Sequence, residues 1–206
     1  FDALLSGNLK DQENLQYLCE THGLNPSLHY TPMVMDIHFM PKEPPDNLLE
    51  RKRQEDDKVK EALRFLDGYG KGKNFVLHAF SQNTQIILLL GRNEKEPLSK
   101  EDLKQLTLGL CESIEEKIEE TTLHVGIGKT AGHLLTLHQS FGEAKEALRL
   151  LDTRHRERRV LHFEDFLVHH FLKKNIAPQD MEAFFQETLG PLKAYDEKYK
   201  SELLST

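Results

Sequence analysis

The chain has 206 residues, 38% of them apolar and 30% charged, which suits one large soluble domain or one domain with an appendage. Its formal charge of −7 argues against this segment gripping a phosphate backbone, a task that needs a basic face. The longest aliphatic run, Ile86 to Leu90, is far short of the ~20 apolar residues of a membrane span, and no basic-then-apolar leader opens the chain. Phe1 in place of a methionine points to a fragment.

Residues 1–24 carry Leu4, Leu5, Leu9, Leu15 and Leu18 at roughly helical spacing, and Gly23 lies near the stop, so one lead-in helix is predicted. Tyr30 to Met40 reads as a strand ended by Pro41, Pro44 and Pro45. Leu48 to Leu66 is a charged amphipathic helix with Val59, Ala62, Leu63 and Leu66 on one face, closed by Gly68 and Gly70. Residues 74–80 and 85–92 are strands joined by Ser81-Gln82-Asn83-Thr84, which predicts a hairpin with a four-residue turn.

Ser99, with Asp102 at the capping-box position, starts a helix whose inner stripe is Leu103, Leu106, Leu110, Ile114 and Ile118. Residues 122–128 form the next strand. Residues 131–152 form a helix with the stripe Leu134, Leu137, Phe141, Ala144, Leu148 and Leu151. A short strand at 159–163, a short helix at 164–173 and two further helices opening at Pro178 and Pro191 complete the reading; the last is still running at Thr206. From Tyr30 onward the order is strand, helix, hairpin, helix, strand, helix, strand. That predicts an α/β (α+β) fold: a mixed, mainly antiparallel sheet with helices packed on it, nucleotide-cyclase-like or ferredoxin-like, with extra helices at both ends.

Several residue patterns suggest chemistry. Gly126-Ile127-Gly128-Lys129-Thr130 follows a strand and precedes a helix, as a phosphate-binding loop would. Such a loop needs a glycine five positions before the Gly-Lys-Thr, and that position is Leu123, inside the strand. The glycines are better explained by a tight turn with close backbone packing. Gly126, Gly128, Lys129 and Thr130 remain the candidate site for a small anion or metabolite effector at the helix start.

The eleven histidines show no metal-ligand spacing: His133 and His138 are five apart, and His169 and His170 are adjacent. Asp36 sits mid-strand among apolar residues, where a carboxylate is costly unless it is paired, faces outward or once held a metal. Residues 154–159 are the densest basic run and are expected to form a solvated connector. Cys19 and Cys111 lie too far apart in sequence for a metal knuckle and are expected to be buried and reduced, in a cytoplasmic setting.

Val125-Gly-Ile-Gly-Lys129 followed by Ser140-Phe-Gly-Glu-Ala-Lys-Glu-Ala-Leu148 resembles the central domain of PucR/CdaR-family bacterial transcription regulators. Val160-Leu-His-Phe-Glu-Asp165, Thr188-Leu-Gly-Pro-Leu192 with Tyr195-Asp196, Ser201 to Thr206, and Leu4 to Asn8 are similar to further elements of that family in the same order. The resemblance implies a GGDEF-like domain between a sensory domain and a DNA-binding helix-turn-helix, in regulators of catabolic genes. It divides the chain into a lead-in helix (1–28), a degenerate GGDEF-like domain (29–174) and C-terminal helices (175–206) leading to a helix-turn-helix beyond Thr206.

A cyclase of this plan needs two carboxylates for its metal ions and glycines in the hairpin turn; Ser81 to Thr84 contain neither, and Asp36 lacks its partner. The expectation is a non-enzymatic regulatory and dimerisation module without metal or cofactor. It would form a homodimer, touch DNA only through the absent domain, and have no membrane contact. The alternatives are a small-molecule effector module and a residual nucleotide cyclase.

Overall fold

A computed structural model describes residues 2–9, 12–42, 47–82, 84–93, 98–154 and 158–166. Residues Phe1–Asp165 form one compact unit. The elements are α1 (Asp2–Leu5), α2 (Gln12–His22), β1 (His29–Phe39), α3 (Leu48–Tyr69), β2 (Val76–Gln82), β3 (Gln85–Arg92), α4 (Lys100–Glu115), β4 (Thr121–Ile127), α5 (Leu137–Arg154) and β5 (Val160–His162). Single 3-10 turns cover Leu134–Thr136 and Phe163–Phe166. The helices expected beyond residue 166 lie outside the described residues.

The five strands form one sheet in the order β2-β3-β1-β4-β5. The pairs β2–β3, β3–β1 and β1–β4 are antiparallel, and β4–β5 alone is parallel. The hairpin needs only a short turn, whereas the parallel pair needs the α5 crossover between its strands. The mixed, mostly antiparallel sheet with helices packed on it is therefore as expected.

Burial follows position in the sheet. β1 is central and buried without interruption from Tyr30 to Met35, as a strand covered on both faces must be. β3, its neighbour, is buried from Ile86 to Gly91. On one face Met33, Met35, Leu88, Leu90, Val125 and Ile127 meet Ala62 and Leu66 of α3 and Leu110, Cys111 and Ile114 of α4. At roughly 1.5–3 kcal/mol per fully buried aliphatic side chain, this cluster is the main stabilising mass of the domain. The opposite face carries α5, whose predicted stripe from Leu134 to Leu151 is buried throughout, with α1 packed against it.

The helix starts follow their caps. Asn47 accepts from the Glu50 amide at 2.8 Å to open α3, and Ser99 accepts from the Asp102 amide at 3.1 Å to open α4. The Ser99 hydroxyl also donates to the Asp102 carboxylate at 2.7 Å, so the expected capping pair is formed.

Several boundaries differ from the sequence reading, among them the end of α3, which runs through Gly68 to Tyr69. The single lead-in helix is two, because Gly7 adopts φ +73 and the Asn8 amide returns to the Ala3 carbonyl at 3.1 Å, a left-handed C-terminal cap. In the hairpin Gln82 pairs with Gln85, leaving two residues between the strands rather than four. The helix expected from Ala131 begins at Leu134 as a 3-10 turn and becomes α-helical at Leu137. Ala131 is held extended against β1, its carbonyl accepting from the Tyr30 amide at 3.1 Å and its amide donating back at 2.8 Å. Among the described residues no helix is long and apolar enough to cross a membrane.

Candidate functional site

Two places in the sheet hold the residues that the sequence singles out. The first is the turn from β4 into α5. Gly126 is the last glycine inside β4 and Gly128 the first residue after it, and both face the underside of α5. A Cβ on Gly126 would collide with the Ala144 carbonyl oxygen and the Leu148 amide, and would lie 2.9 Å from Leu148 Cβ. A Cβ on Gly128 would collide with the Ser140 carbonyl oxygen and stand 2.9 Å from that residue's carbonyl carbon. These are backbone atoms of a helix, which no rotamer change can move aside. The two glycines form the bed on which α5 lies.

Several donors of this turn are already engaged by the protein. The Gly128 amide donates to the Pro32 carbonyl at 3.0 Å, and the Ala131 amide to the Tyr30 carbonyl. The Lys129 amide donates to the Glu143 carboxylate at 3.1 Å, and Lys129 Nζ lies 3.9 Å from the other oxygen of that group. Lys129 Nζ also stands 5.5 Å from the Phe163 ring centroid. The Thr130 hydroxyl is 2.8 Å from the Thr31 hydroxyl. Glu143 thus sets a negative charge beside the amide and ammonium that an anion would otherwise share. Its spacing from Lys129, fourteen residues along and one helix away, gives no signal in sequence.

The second place is the far end of β1, beside the hairpin. Asp36 is half-buried, and its cross-strand partners are Gln85 on β3 and His124 on β4. The His38 ring packs edge-on against His124 with centroids 4.6 Å apart. Gln82, at the hairpin tip, donates through Nε2 to the Asp2 carboxylate at 3.0 Å. The neighbours of Asp36 in register are therefore an amide and an imidazole. Among the described residues no group of three or more His, Cys, Asp or Glu side chains is close enough to hold a metal ion. The juxtaposition of His38 with His124 was invisible in sequence, since it depends on the register of two strands far apart in the chain.

The cysteines and remaining histidines carry no reactive arrangement among the described residues. Cys111 is buried in the main core and its thiol is pushed up to about 12 by burial, with the Glu115 charge adding. Burial raises the Cys19 thiol too. Both remain protonated thiols at neutral pH, the opposite of a nucleophile's setting. His133 precedes the 3-10 turn and His138 lies in α5, where Nδ1 is 2.9 Å from the Leu135 carbonyl oxygen. His169, His170 and residues 155–157 of the basic run lie outside the described residues; Arg159, from its end, donates to Glu115 at 2.6 Å.

A family model described as a GGDEF-like domain matches residues 6–150. A search of curated proteins found none that matches the chain.

Proposed function

The chain belongs to the GGDEF-like domain family over residues 6–150, and from that premise we propose that it is a non-catalytic regulatory module of a bacterial transcription regulator of the PucR/CdaR kind. In this reading the module dimerises in the cytoplasm and relays a signal to a helix-turn-helix encoded beyond Thr206. The observation that carries the loss of catalysis is the surroundings of Asp36. Metal-assisted phosphoryl chemistry needs carboxylates converging on the ions. Asp36 is flanked in register by Gln85 and His124, and the hairpin from Gln82 to Gln85 offers neither a carboxylate nor a glycine.

The regulatory half of the reading is supported by the ordered likeness of the strings from Val125 to Leu148 and from Val160 to Asp165 to that family's central domain. Dimerisation follows from the paired half-sites that helix-turn-helix readers usually span.

Incubating the full chain with GTP and Mg²⁺ at high protein concentration tests the first half: no cyclic product and no pyrophosphate are expected, and sustained turnover would overturn it. Analytical ultracentrifugation tests the second. A concentration-dependent dimer is expected, and a strict monomer at high concentration would sink dimerisation by this segment.

A further inference from the structure

Hydrogen-bonded pairs alternate along the antiparallel strands of the sheet, and that alternation fixes which backbone groups reach its β2 edge. The Pro32 carbonyl accepts from the Gly128 amide, so Pro32 turns its backbone towards β4, and its neighbours Thr31 and Met33 turn theirs towards β3. Through the register, Leu88 and Leu90 then face β1, while Ile87, Leu89 and Gly91 face β2. Their partners on β2, which are Phe80, His78 and Val76, point inward. The amides and carbonyls of Leu77, Ala79 and Ser81 are left pointing away from the sheet. Among the described residues no backbone bond reaches these three on that outer side.

Such an edge is usually guarded by charge, by proline or by a covering element. β2 reads Val-Leu-His-Ala-Phe-Ser-Gln, without a lysine, arginine, acid or proline. Its burial is incomplete where that of β3 is complete: Val76 is 44% exposed, Ser81 is exposed, and Leu77, His78 and Ala79 are half-buried. α3 packs against the strand, and at its start Gly70 lies close to Leu77, where a Cβ would stand 3.3 Å from the Leu77 amide nitrogen. The outward groups are therefore most open around Ala79 and Ser81. The opposite edge of the sheet, β5, is only three residues long and offers a much shorter template.

We propose that β2 is a dimerisation edge: a second copy of the chain lays its own β2 antiparallel to this one, about a twofold axis at Ala79, and the two sheets become one. This face belongs to the dimer proposed above and rests on that reading. In this register Ala79 meets Ala79 of the second copy, and Leu77 meets Ser81 on either side of the axis. These are the positions whose backbone points outward, so each of the three pairs exchanges two hydrogen bonds. Between them His78 comes opposite Phe80 at the closer spacing, where cross-strand side chains interact. The strand suits its own copy in two respects. It carries no charge, so no pair sets like charges against each other, and the side chain that must fit beside itself on the axis is a small one. Pairing of this kind also closes after two chains and removes the exposed edge.

The test uses the full chain, with amide deuterium exchange and analytical ultracentrifugation over a range of protein concentrations. Exchange at Ala79 and Ser81 is expected to slow as the dimer forms. Ser81→Pro removes an outward donor without breaking a bond to β3, and should weaken association at least tenfold while circular dichroism stays that of the parent. Leu135→Lys, at an exposed leucine on the turn before α5, leaves association unchanged. The proposal is overturned if folded Ser81→Pro dimerises like the parent, or if Ala79 and Ser81 exchange as fast in the dimer as in the monomer. Either result leaves the dimer itself standing, on another face. Protection of these amides that is the same at every concentration also overturns it, because the edge is then covered by the chain's own residues. A strict monomer removes both this face and the dimer. Should Ser81→Pro fail to fold, Val76→Lys at the exposed start of the strand is expected to weaken association several-fold, and that variant decides together with the exchange data.

Discussion

Replacing Gly126 with alanine adds a single methyl group at the place where β4 and α5 approach most closely. The new Cβ would collide with the Ala144 carbonyl oxygen and the Leu148 amide and lie 2.9 Å from Leu148 Cβ. Ordinary contact begins near 3.4 Å, so α5 must lift from the sheet or β4 must sink. Both are anchored: Leu137, Ala144, Ala147 and Leu151 of α5 and Leu123, Val125 and Ile127 of β4 are fully buried. Overpacking of this kind costs about 1–3 kcal/mol, and a clash with backbone belongs at the upper end. For a domain of this size about 3 kcal/mol corresponds to a fall of roughly 6–12 °C in melting temperature.

Urea denaturation and differential scanning calorimetry would measure the change. Gly109→Ala is the matched control: it lies inside α4 with nothing within 4 Å of the added Cβ, so the substitution should stabilise by about 0.5–1 kcal/mol through helix propensity. A Gly126→Ala protein that melts within a degree of the parent would refute the packing argument. Weakened anion binding with unchanged stability would instead make the turn a ligand cradle.

Two other outcomes follow from the same geometry. Burial holds the His162 imidazole below its usual range of about 6.5, outweighing the Glu164 and Asp165 charges that raise it, and Nδ1 accepts from the Glu164 amide at 3.2 Å. A base with a lower pKa when folded binds fewer protons than in the unfolded chain, so stability is full above 6.5 and declines as pH drops through that value. Burial acts on His78 in the same direction. The melting temperature should fall between pH 8 and pH 5.5, and His162→Asn, which keeps an acceptor, should flatten that slope; equal slopes would show the reasoning wrong. Glu115 accepts from the Leu123 amide at 2.9 Å and from Arg159 at 2.6 Å. Because Arg159 is well exposed, most of the loss in Glu115→Ala should come from the orphaned amide, about 1–2 kcal/mol by urea denaturation. Glu115→Gln should recover more than half of it, and no recovery would assign the loss to the ion pair.

Periodicity was enough for the elements whose burial is simple. The α5 stripe steps by three and four along one face, and β3 carries an unbroken aliphatic run from Ile86 to Leu90 that suits an interior strand. Boundaries set by backbone pairing were less legible. Ala131 has helix propensity, yet its hydrogen bonds to Tyr30 keep it extended until Leu134. Leu4, Leu5 and Leu9 continue a helical spacing through Gly7, whose positive φ breaks it. Thr107 is fully buried, its hydroxyl donating to the Leu103 carbonyl at 2.6 Å, although a hydrophobicity pattern passes over it.

The candidate sites divide along the same line. Spacing alone excluded a P-loop, because Leu123 stands where a glycine is required and is buried in β4. The partners of the turn and of Asp36 were hidden, since Glu143, Gln85 and His124 reach them only through the crossover and the strand register.

The place of β1 at the middle of the sheet sets an order in which the domain can open. It is hydrogen-bonded along both sides, to β3 and to β4, and covered on both faces. Its central amides, from Pro32's neighbours to Met35, should be among the last to exchange with deuterium, reached only when the whole unit unfolds. Towards its two ends that strand carries Thr31, bonded to Thr130, and Asp36, beside the hairpin. A disturbance at one end would therefore travel to the other along a strand paired on both sides, as a displacement and not as a local melting.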